Sequence, residues 1–160
     1  MNKQRRMTRA RRLRPIAQIG SVSSGTTRTE DLIPAFADVL RSVRGGSKFR
    51  SLISRADRLE RDDEGYYADC DDSNDVLGEL FSALNQVAPP YCYFGAHEGD
   101  GADYGWWPSE LHDLDVLTVA DSSELPAGFV GDYAIVNDHG NVTMMRKTRG
   151  HAARELWGIV

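Results

Sequence analysis

Between Arg61 and Arg146 the chain contains no lysine and no arginine. Residues 62–145 carry 18 Asp/Glu without one basic side chain, whereas residues 1–61 hold 15 Lys/Arg against 5 Asp/Glu, and residues 146–160 hold 4 against 1. The formal net charge of -5 over 160 residues therefore conceals blocks of +10, -18 and +3. Charge segregated in this way sets local fields and bears on partners rather than on fold.

Other absences exclude whole classes. Cys70 and Cys92 are the only cysteines, too few for a disulfide framework, so a reducing, cytoplasmic setting is expected. No apolar run approaches the length of a membrane span, and no apolar segment follows the basic N-terminus as a secretory signal would require. Cys70, Cys92, His97 and His112 lack the paired spacing of a zinc site. Gly20–Thr27 has the spacing of a phosphate-binding loop, but Thr26 stands where the lysine facing the phosphates belongs. Asp69, Asp71, Ser73 and Asp75 suggest a calcium loop, yet Asn74 replaces its turn glycine and Leu80 its bidentate carboxylate. Ser21, Ser23 and Ser24 do not fit the Gly-x-Ser-x-Gly pattern of a nucleophile elbow. No cofactor is implied.

What is present reads as a basic flexible arm over residues 1–14 followed by a single α+β domain over 15–160. The arm holds Lys3, Arg5, Arg6, Arg9, Arg11, Arg12 and Arg14 and no acid. Ile16–Gly20 reads as a short strand. Thr27 with Glu30 fits a capping box opening a helix that runs to about Val43, its apolar face Ile33, Phe36, Ala37 and Leu40, with Gly45-Gly46 ending it. A second helix is expected over 48–61, with Phe49, Leu52, Ile53, Ala56 and Leu59 opposite a basic face of Lys48, Arg50, Arg55, Arg58 and Arg61. An acidic linker over 62–75 then leads to a third helix, capped by Asp72 or Ser73, with Val76, Leu77, Leu80, Phe81, Leu84 and Val87 as its stripe. After Pro89-Pro90 the period falls to two. Tyr91–Phe94, Tyr104–Trp107, Val116–Val119, Phe129–Val136, Val142–Met145 and Arg154–Val160 read as strands, and Asn137–Asn141 as a hairpin turn. The expectation is α+β: about three N-terminal helices followed by an antiparallel sheet of about five or six strands.

The densest chemistry lies in 89–108. His97, Glu98, Asp100 and Asp103 alternate with glycines, a set that can bind a metal, act in acid–base catalysis, or form a solvated turn. Cys92 with His97 or His139 invites a nucleophilic pair, against which its position between Tyr91 and Tyr93 predicts a buried small hydrophobe. Tyr93, Tyr104, Trp106 and Trp107 suit a protein-contact surface better than a base-stacking one, because the surrounding acidity repels phosphates. Tyr93, His97, Glu98, Asp100, Asp103, Tyr104, Trp106 and Trp107 are therefore the candidate binding residues.

The runs Ile19–Thr26, Tyr91–His97, Val136–Val142 and Glu155–Trp157 resemble those of a group of short uncharacterised proteins carried by bacteria, phages and plasmids. The resemblance spans about residues 16–160 and implies a mobile-element setting; it brings no catalytic residues with it. The leading expectation is a non-enzymatic acidic protein that engages a basic protein surface, as a mimic of nucleic-acid charge would. One alternative is a direct nucleic-acid binder using the arm, the basic face of the second helix and Arg146, Lys147, Arg149 and Arg154. The other is a small metal-dependent or hydrolytic enzyme centred on the His97 loop.

Overall fold

The structure, a computed structural model, describes residues 16–61 and 71–159. The basic arm and the acidic stretch 62–70 lie outside the described residues. Strand β1 spans Gly20–Ser23 and precedes all the helices, so the order is not helices first and sheet second. The strand expected at Ile16–Gly20 is displaced because only from Gly20 onward does the chain pair with β3 (Asp100–Pro108).

Helix α1, Thr29–Ser42, buries Leu32, Ile33, Phe36, Ala37 and Leu40 on one stripe, as the 3.6-residue period requires. Its capping differs from expectation: Arg28 is the N-cap and no side chain caps it. Thr26 Oγ1 accepts from the Arg28 amide at 3.2 Å and donates to Asp31 Oδ2 at 2.7 Å. The hydroxyl–carboxylate bond is charge-assisted, and it displaces the capping box expected at Thr27 and Glu30. Gly45, at φ 93°, supplies the left-handed turn that ends α1. A 3₁₀ turn over Gly46–Phe49 then leads into α2, Arg50–Arg61. Helix α3 is Asp71–Gln86, so the expected linker yields to helix from Asp71, and Asp72 and Ser73 lie inside the first turn rather than at its cap. Arg55 of α2 reaches α3, donating to Glu79 Oε1 at 2.7 Å and Asp72 Oδ1 at 3.2 Å. No helix among the described residues is long and apolar enough to cross a membrane.

The strands form two sheets rather than one. The first has the order β1-β3-β2, with β2 at Cys92–His97, and is antiparallel throughout. The second has the order β4-β5-β6-β7, at Leu117–Val119, Gly131–Val136, Val142–Lys147 and Arg154–Ile159. Here β4 and β5 run parallel, against the expectation of an antiparallel sheet. The reason is the connection 120–130, long enough to carry the chain back to its starting end, as a tight hairpin cannot. Asn137–Asn141 does form the expected turn, with Asn137 Oδ1 accepting from the amides of His139 and Asn141, both at 3.0 Å.

Two cores follow. One lies between the helices and the first sheet, where Phe36 meets the rings of Phe81, Phe94 and Tyr104 edge-on at centroid distances of 5.1, 5.0 and 5.8 Å. The other joins the sheets. Ala134, Met144 and Trp157 are register neighbours in one row across β5, β6 and β7, and they pack with Ile19, Tyr91, Cys92, Leu111 and Leu114. Trp157 Nε1 donates to the Pro90 carbonyl at 2.7 Å, fastening β7 to the entry of β2.

Candidate functional site

The alternation of β2 and β3 sorts the aromatic residues by face. Phe94 pairs in register with Trp106, and Ala96 with Tyr104; this set turns toward the helices. Tyr93 pairs with Trp107, one residue out of phase, so both belong to the opposite face. There they wall a cleft of about 290 Å³ that also takes in His97, Glu98, Pro108, Ser109, Glu110 and Leu111 from the first half of the molecule. Val142, Trp157 and Ile159 of the second sheet close its far side.

The hairpin that presents this face is tighter than the glycine content implies. His97 is already paired with Asp100, so only Glu98 and Gly99 form the turn. The Gly99 amide donates to His97 Nδ1 at 3.1 Å, which places the proton of the neutral imidazole on Nε2. The His97 ring stands edge-on to Trp107, with centroids 4.7 Å apart. Trp107 is fixed in turn by its Nε1–H bond to the Gly95 carbonyl at 3.0 Å. Tyr93 lies over Gly95, where an added Cβ would come within 3.2 Å of its ring. Burial first, then the charges of Glu98 and Glu110, raise the Tyr93 hydroxyl above its ordinary value. Both carboxylates therefore act on the same phenol.

Four of the eight candidate binding residues come together here: Tyr93, His97, Glu98 and Trp107. The other four do not. Trp106 is 3% exposed and donates from Nε1 to the Leu84 carbonyl at 3.1 Å, so it has no surface to offer. Tyr104 packs edge-on against Phe36 and Phe81 in the first core. Asp100 closes the local turn, its Oδ1 accepting from the Ala102 amide at 2.9 Å. Asp103 Oδ1 is shut off from solvent without a hydrogen-bond partner.

Sequence reasoning missed Ser109, Glu110, Val142, Trp157 and Ile159. Glu110 stood in view as the first carboxylate after β3. The three residues of the second sheet reach the cleft only through the strand order, which no local pattern encodes.

The Cys92 thiol is pushed up to about 12 by burial, and its hydrogen bond runs to the Pro90 carbonyl at 3.6 Å rather than to an imidazole. That environment suits a packed thiol and not an activated one. Among the described residues no group of three or more His, Cys, Asp or Glu side chains is gathered closely enough to hold a metal ion. Several residues of the acidic block have structural partners: Asp72 and Glu79 bond Arg55, and Asp132 binds Arg146. Asp121 accepts from the Ser123 amide, and Glu124 from the Ala120 amide. Neither Glu98 nor Glu110 has a Lys or Arg beside it among the described residues, and the His112 imidazole lies with Nδ1 3.8 Å from Glu110.

No protein-family model, curated protein or solved structure matched the chain, so nothing is carried over from a relative and the cleft stands on its own geometry.

Proposed function

We propose that the protein is a non-enzymatic acidic binding protein that engages a basic protein surface through the face carrying the Tyr93–Glu98–Trp107–Glu110 cleft. The observation that carries this reading is the polarity of the second sheet. Val142 and Ile159, paired in register, lie at the cleft end, whereas Arg146 and Arg154, also paired, lie at the other. Four residue steps along β6 separate Val142 from Arg146 by roughly 13 Å, more than the Debye length of about 8 Å at physiological salt. The basic end therefore does little to neutralise Glu98 and Glu110. Asp138 adds to the acidic end, in the turn that leads into Val142.

In the mobile-element setting that the sequence resemblance implies, the basic surface would belong to a nucleic-acid-binding or defence protein of the host, with the carboxylates standing in for phosphates. The bonds of Asp72, Glu79 and Asp132 to arginines of the same chain leave those three less able to stand in for phosphates than Glu98 and Glu110. Complementary charge speeds association and makes it salt-sensitive. The test is binding of the full chain to a basic, DNA-binding protein at rising ionic strength, with competition by duplex DNA for the same partner. Steep loss with salt and displacement by DNA are expected; salt-independent binding removes the basis of the proposal.

One observation favours direct nucleic-acid binding as a second reading: Lys48, Arg50 and Arg58 are exposed and make no ion pair among the described residues. Arg55 and Arg146, which that reading also used, are already bonded to carboxylates. DNA and RNA retention with and without residues 1–14 separates the two readings; no binding by the intact chain eliminates the second.

A further inference from the structure

We propose that the cleft between the β2–β3 hairpin and β7 is a receptor for one arginine side chain of a protein partner, its guanidinium held between the aromatic wall of Tyr93 and Trp107 and the carboxylates of Glu98 and Glu110. This deepens, and rests on, the acidic-surface reading above.

Size is the first argument. At about 290 Å³ the cleft falls just below the range of small-molecule sites, which run from about 300 to 1,000 Å³. It has room for a side chain and little for a cofactor. Its lining is the second. Val142, Ile159 and Leu111 offer an apolar bed for an aliphatic stem, while Tyr93 and Trp107 are aromatic rings whose π-faces attract a cation. Glu98 and Glu110 are exposed carboxylates with no Lys or Arg among the described residues that pairs with them. A planar guanidinium can stack on an indole and still direct its N–H fork to carboxylates, which an ammonium cannot do as well. The walls are also fixed in advance. The Trp107 indole is tied to the Gly95 carbonyl, the His97 ring is held by the Gly99 amide, and Trp157 by the Pro90 carbonyl. A prearranged cleft loses little ordering entropy when it is filled.

The test titrates N-acetyl-arginine amide into the full chain while the Trp107 indole N–H is followed by NMR. N-acetyl-citrulline amide, of the same shape without the charge, is the comparison. A saturable arginine response in the millimolar range, weak or absent with citrulline, is expected. The double variant Glu98→Gln/Glu110→Gln should weaken it about tenfold. Both positions are exposed, and the Trp106 indole in the first core reports whether the fold is unchanged. Equal responses to the two amides, or unaltered affinity in the double variant, overturn the proposal. So does an arginine response that appears only after residues 1–15 are removed, since the chain's own arm would then be the occupant; Ile16 lines an adjacent opening that shares Trp157 with the cleft. Poly-arginine is titrated in parallel. Salt-sensitive binding of the polymer with no response to the single arginine sinks the receptor and leaves the acidic-surface reading standing, whereas failure of both removes both.

Discussion

The Tyr91 hydroxyl donates to Asp132 Oδ2 at 2.7 Å, joining the entry of the first sheet to the second across 41 residues of chain. Asp132 also receives Arg146 in bidentate fashion, through Nε and Nη2, both at 2.6 Å. Tyr91 is the one non-glycine residue with positive φ, at 64°, among those described. A conformation of that kind persists where the surroundings over-determine it, and here the phenol–carboxylate bond is one of the restraints. Removing the hydroxyl leaves Asp132 with its guanidinium and the second core intact. Tyr91→Phe is therefore expected to lower stability by about 1 kcal/mol, and urea unfolding measures it. No loss would mean that the two halves are joined by Trp157 and apolar packing alone.

The same carboxylate sets an acid response. Arg146 foremost, then Tyr91, hold the Asp132 carboxyl below its ordinary value of 3.8 against the opposing effect of burial. A group whose folded value is depressed stabilises the fold above its unfolded value and loses that contribution as pH falls through the folded one. The stabilisation from Asp132 is thus complete at neutral pH and disappears below the usual carboxylate range. Thermal melts of the wild type and Asp132→Asn should differ at pH 7 and converge toward pH 2. A gap that stays constant over this range would show that the ionised form is not what matters.

Much of the helical half was legible because one periodicity decided it. Phe36, Leu40, Leu80 and Leu84 announce their burial by spacing, and all four are buried. The strands were legible as strands and not as sheets. Period two tells which residues share a face, and the Asn137–Asn141 turn announces the pairing of Val142 with Val136, but nothing local announces its other partner, Ile159. The parallel placement of β4 beside β5 depends on how the connection 120–130 returns, which composition does not reveal. At the cleft, the hairpin half could be read from residues 93–107, whereas Trp157 and Ile159 had to be folded into place.

Cys92 gives a chemical check on the packing. With its thiol pushed up to about 12 by burial, almost none is thiolate at pH 8. Iodoacetamide should modify the Cys92 peptide far more slowly in the native chain than in urea, by mass spectrometry after digestion. Rapid native modification would place Cys92 in an open or activated environment and revive the nucleophilic reading.

Gly105 is where β1 approaches β3 most closely. A Cβ there would come within 2.1 Å of the Gly20 carbonyl oxygen, and backbone cannot withdraw as a flexible side chain can. Gly105→Ala should cost about 3 kcal/mol or more and free β1, seen as faster amide exchange at residues 20–23. Gly101→Ala, with nothing within 4 Å of its added Cβ, is the control and should be close to neutral. Equal behaviour of the two would place β1 away from Gly105.

Trp106 and Trp107 are neighbours in sequence with opposite surroundings, and the contrast between them tests the assignment of the cleft. The Trp106 ring meets Phe94 at a centroid distance of 5.4 Å inside the first core. Truncating it removes a large buried ring and leaves the Leu84 carbonyl with the Val87 amide alone, so Trp106→Ala should cost about 3–5 kcal/mol. Trp107 is half-buried and faces the open side. Trp107→Ala should cost less than half as much in urea unfolding, while lowering affinity for a basic partner more than any change at Trp106 that leaves the chain folded. Trp106→Phe is the folded comparator, because it retains most of the apolar volume. Should Trp106→Phe impair binding and Trp107→Ala leave it intact, the recognition face would lie on the helix side of the sheet, and the parity that assigns Tyr93 and Trp107 to the cleft would have no bearing on partners.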